Sequence, residues 1–261
     1  MDNFSLPLPH GFSLRDTLMC GQCFRWEEQP DGSFTGWAGD HYATLCQQED
    51  ALLITGSDPD FWMEYLDLQE DYDRWKTAFA ADQTLSAAVE KCGGIRILRQ
   101  QPWETLISFI ISANNNIPRI RGIIDRLCNG FGTDGNFPTP QQLSVQTPET
   151  LAPVRAGFRT KYILDAAQKV ADGTLNLDEI ARMPLDEARK QLMTVKGIGP
   201  KVAECILLYG FHRLDAFPVD TWIKKVLCRC YPDGFPAWIA PKGVAQQYLF
   251  HYIRIYCPKE D

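Results

Sequence analysis

Residues 191–210 read QLMTVKGIGPKVAECILLYG, and this stretch decides how the second half of the chain folds. The pattern predicts a helix that ends near Val195, a tight hairpin at Gly197 and Gly199, and a second helix opened by Pro200. Glycine tolerates a positive φ, and its bare backbone N–H groups let a phosphate approach a helix N-terminus. The stretch therefore indicates a helix-hairpin-helix suited to a DNA backbone, with an ordinary hairpin of two helices as the alternative.

A lysine follows this hairpin at a position that helix electrostatics disfavours. Lys201 lies in the first turn of the second helix, at the positive end of its dipole. Such breaks of local rules concentrate at functional sites, and a positive environment favours the neutral, nucleophilic amine. Asp220 follows Pro218 and is placed to cap the next helix, which favours a carboxylate. The pair suits attack on C1′ of a nucleotide, although a plain helix cap would explain Asp220 alone.

Two periodicities divide the chain. Short aromatic or β-branched segments between turn residues predict strands, and these are CFRWEE (23–28), SFTGWAG (33–39), HYATLCQ (41–47) and ALLITG (51–56). From Asp58 or Asp60, either of which could cap a short helix, the pattern is helical as far as GVAQQYLFHYIRIYC (243–257), apart from a predicted loop at DGNFPTPQQL (134–143). Gly93 is predicted to end one of these helices and Pro102 to open the next. We predict an α+β fold in which an N-terminal antiparallel sheet domain (1–83) packs on a mostly helical domain (84–261). The helix-hairpin-helix is placed at about 188–210.

Bulk properties narrow the class of protein. The chain has 261 residues and a net charge of −7, yet residues 151–230 hold 13 Lys/Arg against 9 Asp/Glu, a weak basic signal around the hairpin. No apolar run is long enough for a membrane span, and the N-terminus lacks the pattern of a signal peptide. We therefore expect an intracellular protein, in the cytoplasm and nucleoid of a prokaryote or the nucleus of a eukaryote. Its nine cysteines are interpreted as thiols, mostly buried.

Lys201 and Asp220 after a Gly-Ile-Gly hairpin reproduce the pattern of the helix-hairpin-helix (Gly/Pro-Asp) DNA glycosylases. The chain resembles one branch of that superfamily, the 8-oxoguanine DNA glycosylases/AP lyases, over nearly its whole length. The segments that carry the resemblance occur in the family's order and are CGQCFRW (20–26), LRQQPWETLISFIISANNNIPRI (98–120), GFRTKY (157–162), VKGIGPKVAEC (195–205), FPVD (217–220) and GVAQQYLF (243–250).

The resemblance implies an activity and a role for each matching residue. The protein would be a monomer that binds double-stranded DNA, excises 8-oxoguanine opposite cytosine and nicks the strand by β-elimination. Lys201 would form the Schiff base, Asp220 would activate it, and Gly197 and Gly199 would contact the DNA backbone. A base in a duplex cannot be reached, so it would be flipped into a pocket.

The implied pocket and its surroundings involve two further groups of residues. Gly21 would accept the N7–H that distinguishes 8-oxoguanine, Cys205 and Phe250 would stack on the base, and Gln246 would bind its Watson–Crick edge. The residues that would hold the remaining cytosine and fill the gap beside it are Asn114, Arg119, Arg159 and the wedge Phe158. One departure concerns Trp222, because the better-known eukaryotic members carry histidine there, which puts one phosphate contact in doubt.

The spacing of the cysteines and histidines disfavours a metal site or a redox role. Cys20 and Cys23 form a C-x-x-C, but strands follow it and no second pair exists. Cys228, Cys230 and Cys257 are too few and wrongly spaced for the iron–sulfur cluster of some sister enzymes, and the four histidines form no ligand pattern. We therefore expect neither a metal nor a cofactor.

Two other functions stay open on the residues alone. The first is a related glycosylase for another oxidised or alkylated base, although the purely hydrolytic branch lacks the lysine present here at position 201. The second is a helix-hairpin-helix DNA-binding module without activity, which would not need the pair Lys201 and Asp220.

Overall fold

The alternating strands form one antiparallel sheet in the computed structural model, which describes residues 2–257. The strand order is β1-β5-β4-β3-β2, and Phe34, Leu45 and Ile54 lie side by side on its buried face. Every second residue thus faces the core, as a half-buried sheet requires. The strands are β1 (Asp2–Pro7), β2 (Trp26–Glu28), β3 (Phe34–Ala38), β4 (His41–Gln47) and β5 (Ala51–Gly56).

Helices make up most of the remaining described chain. They are α1 (Leu14–Met19), α2 (Pro59–Tyr65), α3 (Asp73–Phe79), α4 (Gln83–Cys92), α5 (Pro102–Ser112), α6 (Ile117–Phe131), α7 (Pro140–Ser144), α8 (Thr160–Ala171), α9 (Leu177–Arg182), α10 (Leu185–Leu192), α11 (Pro200–Gly210), α12 (Thr221–Cys230) and α13 (Lys242–Ile255). Short 3₁₀ turns span Ala152–Val154 and Gly157–Arg159. Between residues 2 and 257, no helix has both the length and the apolar character needed to cross a bilayer.

The α+β prediction is confirmed, and so are several helix ends that rest on local chemistry. Asp58, rather than Asp60, caps α2 by accepting from the Phe61 backbone N–H. Pro102 opens α5 and Gly93 ends α4, as the sequence predicts. The proposed division at residue 83 stays a prediction, and the outer ends of the two predicted domains, residue 1 and residues 258–261, lie outside the described residues.

Two local predictions were wrong. The first sixty residues are not all strand and turn, because α1 forms where the Ser13 hydroxyl accepts from the Asp16 backbone N–H. The stretch 134–143, predicted as a loop, contains the start of α7, which is fixed by reciprocal bonds between Thr139 and Gln142. Both helices are shorter than eight residues, so their apolar periodicity is too brief to stand out.

The sheet and the helical body have separate apolar cores that meet at Arg25. The sheet core includes α1 and α2, whereas α5 is buried almost all round in the larger helical core, where it packs on α11. The Arg25 side chain, 5% exposed, donates to Glu104 at 3.1 Å and to the carbonyl oxygens of Gly39 and Gly135. Burial raises the pKa of Glu104, and Arg25 opposes that rise. One arginine thus joins the strands to α5 and to the loop before α7.

We predict that Arg25→Met destabilises the protein by about 3–5 kcal/mol, because it leaves the Glu104 carboxyl buried without its partner. The double variant Arg25→Met/Glu104→Gln removes that isolated charge and is expected to recover a large part of the loss. Urea unfolding followed by tryptophan fluorescence measures both. Equal losses in the single and double variants would contradict this account.

Candidate active site and nucleic-acid interface

The hairpin between α10 and α11 has one strained glycine and one open glycine. Gly197 has φ +86°, and a Cβ there would lie 2.4 Å from the Tyr162 ring. Gly199 is the N-cap of α11 at φ −96° and ψ 179°, so the expected positive φ is wrong for this residue. Its backbone is extended, and no described atom lies within 4 Å of a Cβ built on it. The helix N-terminus is therefore open to a ligand.

Helix α8 holds this hairpin in place. The Asp165 carboxylate accepts the Lys196 backbone N–H at 2.9 Å. Lys169, one turn further along α8, donates to Asp165 at 2.9 Å and to the carbonyl oxygen of Thr194 at 2.6 Å. The i, i+4 spacing of Asp165 and Lys169 is a helix-surface signal, but nothing local in the sequence says that the pair faces the hairpin.

Lys201 and Asp220, far apart in sequence, line the same open cavity of about 880 Å³. The Lys201 amine lies 5.6 Å from the centre of the Phe109 ring on α5. Asp220 caps α12 as predicted, because its Oδ1 accepts from the backbone N–H groups of Trp222 at 3.0 Å and Ile223 at 2.8 Å. Both bonds use one oxygen, and the described residues give Oδ2 no hydrogen-bond donor. The site thus combines an amine and a carboxylate with a free acceptor.

A buried carboxylate fixes the loop that delivers Asp220. Glu204 on α11 is 9% exposed. One of its oxygens accepts from the Arg189 side chain on α10, and the other accepts the Phe217 backbone N–H at 2.6 Å. Glu204 is not among the residues that the sequence singles out; its available signal is a charge among the apolar residues of the second hairpin helix.

Gly21 lines the same cavity from the sheet side, at φ +91°, where a side chain would be strained. The neighbouring Gln22, 1% exposed, holds its turn. Its side chain donates to the carbonyl oxygens of Thr17 and Arg96, both at 2.8 Å, and accepts the Leu98 backbone N–H at 2.9 Å. The bonds to Arg96 and Leu98 are long-range, so no local pattern indicates that Gln22 sets the position of Gly21.

The other predicted base-pocket residues lie at different depths. Phe250 lines the cavity, whereas Cys205 and Gln246 are each 3% exposed and are absent from its open wall in the described structure. Burial raises the pKa of the Cys205 thiol, and the adjacent Lys201 opposes that rise. Gln246 Oε1 is buried without a donor among residues 2–257. An unpaired buried acceptor lowers the stability of the fold, so a donor from a ligand would be favourable there.

The predicted opposite-base residues gather at one edge of the cavity. Asn114 lines the cavity at φ +51°, and its carbonyl oxygen accepts from Arg159 at 2.8 Å. Arg159 is only 2% exposed, and its guanidinium lies 4.3 Å from the centre of the Phe158 ring. Burial and then the nearby Arg119 lower the pKa of Arg159. Phe158 is 54% exposed, and Arg119 is exposed.

Other side chains bear on the metal and redox roles that the sequence disfavours, and on Trp222. Cys20 and Cys23 are buried, and burial raises the pKa of the Cys20 thiol to about 12, which suppresses its reactivity. In the part of the chain that the structure describes, no three His, Cys, Asp or Glu residues lie together as metal ligands. Trp222 lines the cavity, and the Lys225 ammonium lies 5.2 Å from the centre of its ring.

Comparisons with known proteins follow the two parts of the structure. Residues 5–106 match the family described as 8-oxoguanine DNA glycosylase, N-terminal domain. Residues 107–236 match the HhH-GPD superfamily base excision DNA repair proteins. The two matched ranges adjoin and together include every sheet and cavity residue discussed above, apart from those on β1 and α13.

Individual relatives are consistent with these family matches. The Arabidopsis thaliana N-glycosylase/DNA lyase OGG1 is 31% identical over 280 residues, covering 95% of this chain and 76% of that protein. A Saccharomyces cerevisiae N-glycosylase/DNA lyase is 39% identical over 158 residues, which are 53% of this chain. The match spans 42% of the yeast protein, less than half of its length. The crystal structure of a Clostridium acetobutylicum 8-oxoguanine glycosylase/lyase, with DNA containing cytosine opposite 8-oxoguanine, has a TM-score of 0.88 at 36% identity, covering 95% of this chain and 93% of that one.

A lysine at the start of the second hairpin helix, sharing a cavity with an aspartate that caps the next helix, agrees with the class of helix-hairpin-helix base excision DNA repair glycosylases. Within this class, the chain belongs to the 8-oxoguanine DNA glycosylase family of N-glycosylase/DNA lyases. The family and enzyme class predicted from the sequence are confirmed.

The two hairpin glycines give opposite predictions for one substitution. Gly197→Ala is expected to lower the free energy of unfolding by at least about 1–3 kcal/mol, since alanine resists a positive φ and its methyl group meets Tyr162. Gly199→Ala, the matched control, is expected to change it by less than about 1 kcal/mol, because the lower entropy of the unfolded chain offsets the poorer capping by alanine. Chemical denaturation measures both. Equal destabilisation by the two substitutions would refute the assignment of strain to Gly197.

Proposed function

We propose that this chain excises 8-oxoguanine from double-stranded DNA, preferably opposite cytosine, and then nicks the strand by β-elimination. The observation that carries the proposal is the shared cavity, because Lys201, Asp220, Gly21 and Phe250 all line it. Covalent removal of a base needs an amine at the sugar, a carboxylate for the developing cation and a pocket for the departing base.

In the proposed reaction, the lone pair of Lys201 attacks C1′ while the glycosidic bond breaks and its electrons leave with the base. The Asp220 carboxylate stabilises the positive charge on the sugar and takes up the amine proton. Its Oδ1 is already held by two backbone N–H groups, so the carboxylate keeps its place while charge develops. The sugar ring opens as O4′ takes up a proton, and this gives the Schiff base. In the β-elimination, C2′ loses a proton, a C2′=C3′ double bond forms and the 3′ phosphate leaves as the C3′–O bond breaks.

Recognition of the base is proposed to use the two buried residues behind the cavity. The unpaired Oε1 of Gln246 suits the N–H donors on the Watson–Crick edge of a guanine. Cys205 and Phe250 supply the two stacking surfaces, and the Gly21 carbonyl accepts N7–H. Cys205 and Gln246 are buried without DNA, so entry of the base has to open the pocket.

The cytosine left behind is proposed to meet the arginines at the cavity edge. Cytosine offers acceptors at O2 and N3, and guanidinium groups are donors only. Arg159 donates to the carbonyl oxygens of Ala113 and Asn114, so it positions the Asn114 turn. Arg119 is exposed, and among residues 2–257 its side chain has no hydrogen bond or ion pair. The wedge Phe158 is proposed to fill the gap beside them.

The expectations on state and place are part of the same proposal. We propose a monomer that acts inside the cell, in the nucleoid or the nucleus, with a sheet domain at 1–83 and a glycosylase domain at 84–261. Size-exclusion chromatography with light scattering tests the monomer, and limited proteolysis tests the domain boundary.

We predict that Lys201→Gln abolishes borohydride trapping on 8-oxoguanine DNA while lesion binding persists, because the amide has no nucleophilic amine. Trapping gel assays and fluorescence anisotropy with the same duplex measure the two properties. Persistent trapping in this variant would exclude Lys201 as the nucleophile.

Asp220→Asn is the companion variant. Asparagine is an equally good helix cap, so α12 is expected to persist and base excision is expected to slow more than binding weakens. An unchanged excision rate would remove Asp220 from the mechanism. If the wild-type protein itself forms no adduct on 8-oxoguanine DNA, the proposed function fails as a whole.

We predict that Arg119→Ala weakens the preference for cytosine opposite the lesion by roughly 5- to 150-fold, which corresponds to about 1–3 kcal/mol for a side-chain contact to a base. Because the wild-type side chain has no partner in the described protein, the free energy of unfolding is expected to change by less than about 0.5 kcal/mol. Excision rates on the four opposite-base duplexes measure the preference, and an unchanged order and ratio would reject this role.

A further inference from the structure

Arg254, in the last turn of α13, lines the cavity and is not among the residues that the sequence singles out. Its guanidinium lies 4.9 Å from the centre of the Phe250 ring, one turn earlier on the helix. A Cβ built on Gly21 would lie 3.8 Å from Arg254 Nη1 and 4.0 Å from the Phe250 ring. The guanidinium therefore sits where the base surface provided by Phe250 meets the Gly21 turn.

Arg254 reaches this place with its donors unused. Among residues 2–257 it has no hydrogen-bond acceptor and no ion pair, and its contact is the stack on Phe250. A guanidinium carries five N–H donors and no acceptor. Stacking on the ring leaves the edge of the guanidinium, where the N–H groups lie, free to donate into the cavity.

The two elements that carry Gly21 and Arg254 are tied together. His251 Nε2, on α13, lies 3.5 Å from Asp16 Oδ1, on the helix that leads into the Gly21 turn. The hydrogen bond with His251 lowers the pKa of Asp16, so the Asp16 carboxylate remains charged at neutral pH. The Ser13 hydroxyl donates to the other oxygen of Asp16 at 2.9 Å. The spacing of Gly21 and Arg254 is thus built into the fold.

We propose that Arg254 is a specificity-determining residue that donates a hydrogen bond to the oxygen at C8 of the flipped 8-oxoguanine. This inference rests on the proposed function. In 8-oxoguanine, N7–H is a donor and the adjacent O8 is an acceptor. If N7–H of the base meets the Gly21 carbonyl, O8 on the adjacent ring atom lies next to that carbonyl, and Arg254 is the donor that the structure places next to Gly21.

Guanine reverses or removes both interactions. Its N7 is an acceptor that faces the Gly21 carbonyl oxygen unfavourably, and its C8 carries hydrogen, which gives Arg254 nothing to bind. Gly21 and Arg254 therefore test two neighbouring atoms of the same edge, one as acceptor and one as donor. A site in which the wrong base leaves a donor unpaired discriminates more strongly than stacking alone.

The test compares Arg254→Met with wild type on duplexes that contain 8-oxoguanine or 8-thioguanine opposite cytosine. Both bases keep N7–H, but sulfur is a weak acceptor. We expect Arg254→Met to lower the single-turnover excision rate of 8-oxoguanine by roughly 10- to 100-fold, the range of a hydrogen bond to a charged group. The oxygen-to-sulfur rate ratio is expected to collapse in the variant, because the size of sulfur affects both proteins alike.

Three measurements make the comparison decisive. Trapping at a preformed abasic site, which carries no base, gives the active fraction of each preparation, and rates are normalised to it. Arg74→Met is the matched control, because Arg74 also stacks 4.9 Å from an aromatic ring, that of Trp75, but lies outside the cavity. It is expected to retain the wild-type ratio. Arg254→Lys keeps a charged donor and is expected to keep part of the wild-type oxygen-to-sulfur ratio. It replaces Arg254→Met if that variant folds poorly.

The outcomes separate the two proposals. One outcome overturns this inference: wild type excises 8-oxoguanine, and Arg254→Met slows excision of both substrates equally, so that the ratio is unchanged. Arg254 then only supports Phe250. The same criterion applies to Arg254→Lys where Arg254→Met does not fold. If wild type excises neither base, the proposed function itself fails. A ratio that falls in Arg254→Met and stays in Arg74→Met establishes the contact with O8.

Discussion

The proposed active centre depends on one buried carboxylate that does not line the cavity. Glu204 accepts from Arg189 on α10 and from the Phe217 backbone on the way to Asp220. It lies on α11, three residues after Lys201, so it joins both helices of the hairpin to the loop that carries the aspartate. A buried charge is tolerated only when it is paired and hydrogen-bonded, which means that these partners have little freedom. The relation between amine and carboxylate therefore rests on Glu204.

The parts of this site that follow from the sequence are those set by neighbours along the chain. Pro200 opens α11 and Asp220 caps α12 because both effects act within one helical turn. The position of Gly21 is different. It depends on Gln22, which bonds to Arg96 and Leu98 far away in sequence, and no local pattern encodes those contacts. The resemblance to a known family supplied the residue, but the physical reason for its place needs the three-dimensional structure.

Gly199 shows how a correct motif can carry a wrong local reason. The expectation was that glycine is needed there for its backbone angle, yet the residue is extended, a conformation open to any residue. What glycine provides is empty space in front of the first N–H groups of α11. Arg254 breaks no local rule, because an arginine in the last turn of a helix is favourable by itself. A residue that satisfies local rules draws no attention, whatever it faces.

In the proposed function, the chemistry and the choice of base are assigned to different parts of the fold. Lys201, Asp220 and Glu204 all lie in the helical body, whose core contains α5 and α11. The proposed base pocket instead lies between the Gly21 turn and α13, which the contact of Asp16 with His251 joins. A small shift between these elements would move the Gly21 carbonyl relative to the base while the amine and carboxylate kept their places. Packing between the sheet and the helical body therefore bears on which base is excised more directly than on whether Lys201 can react.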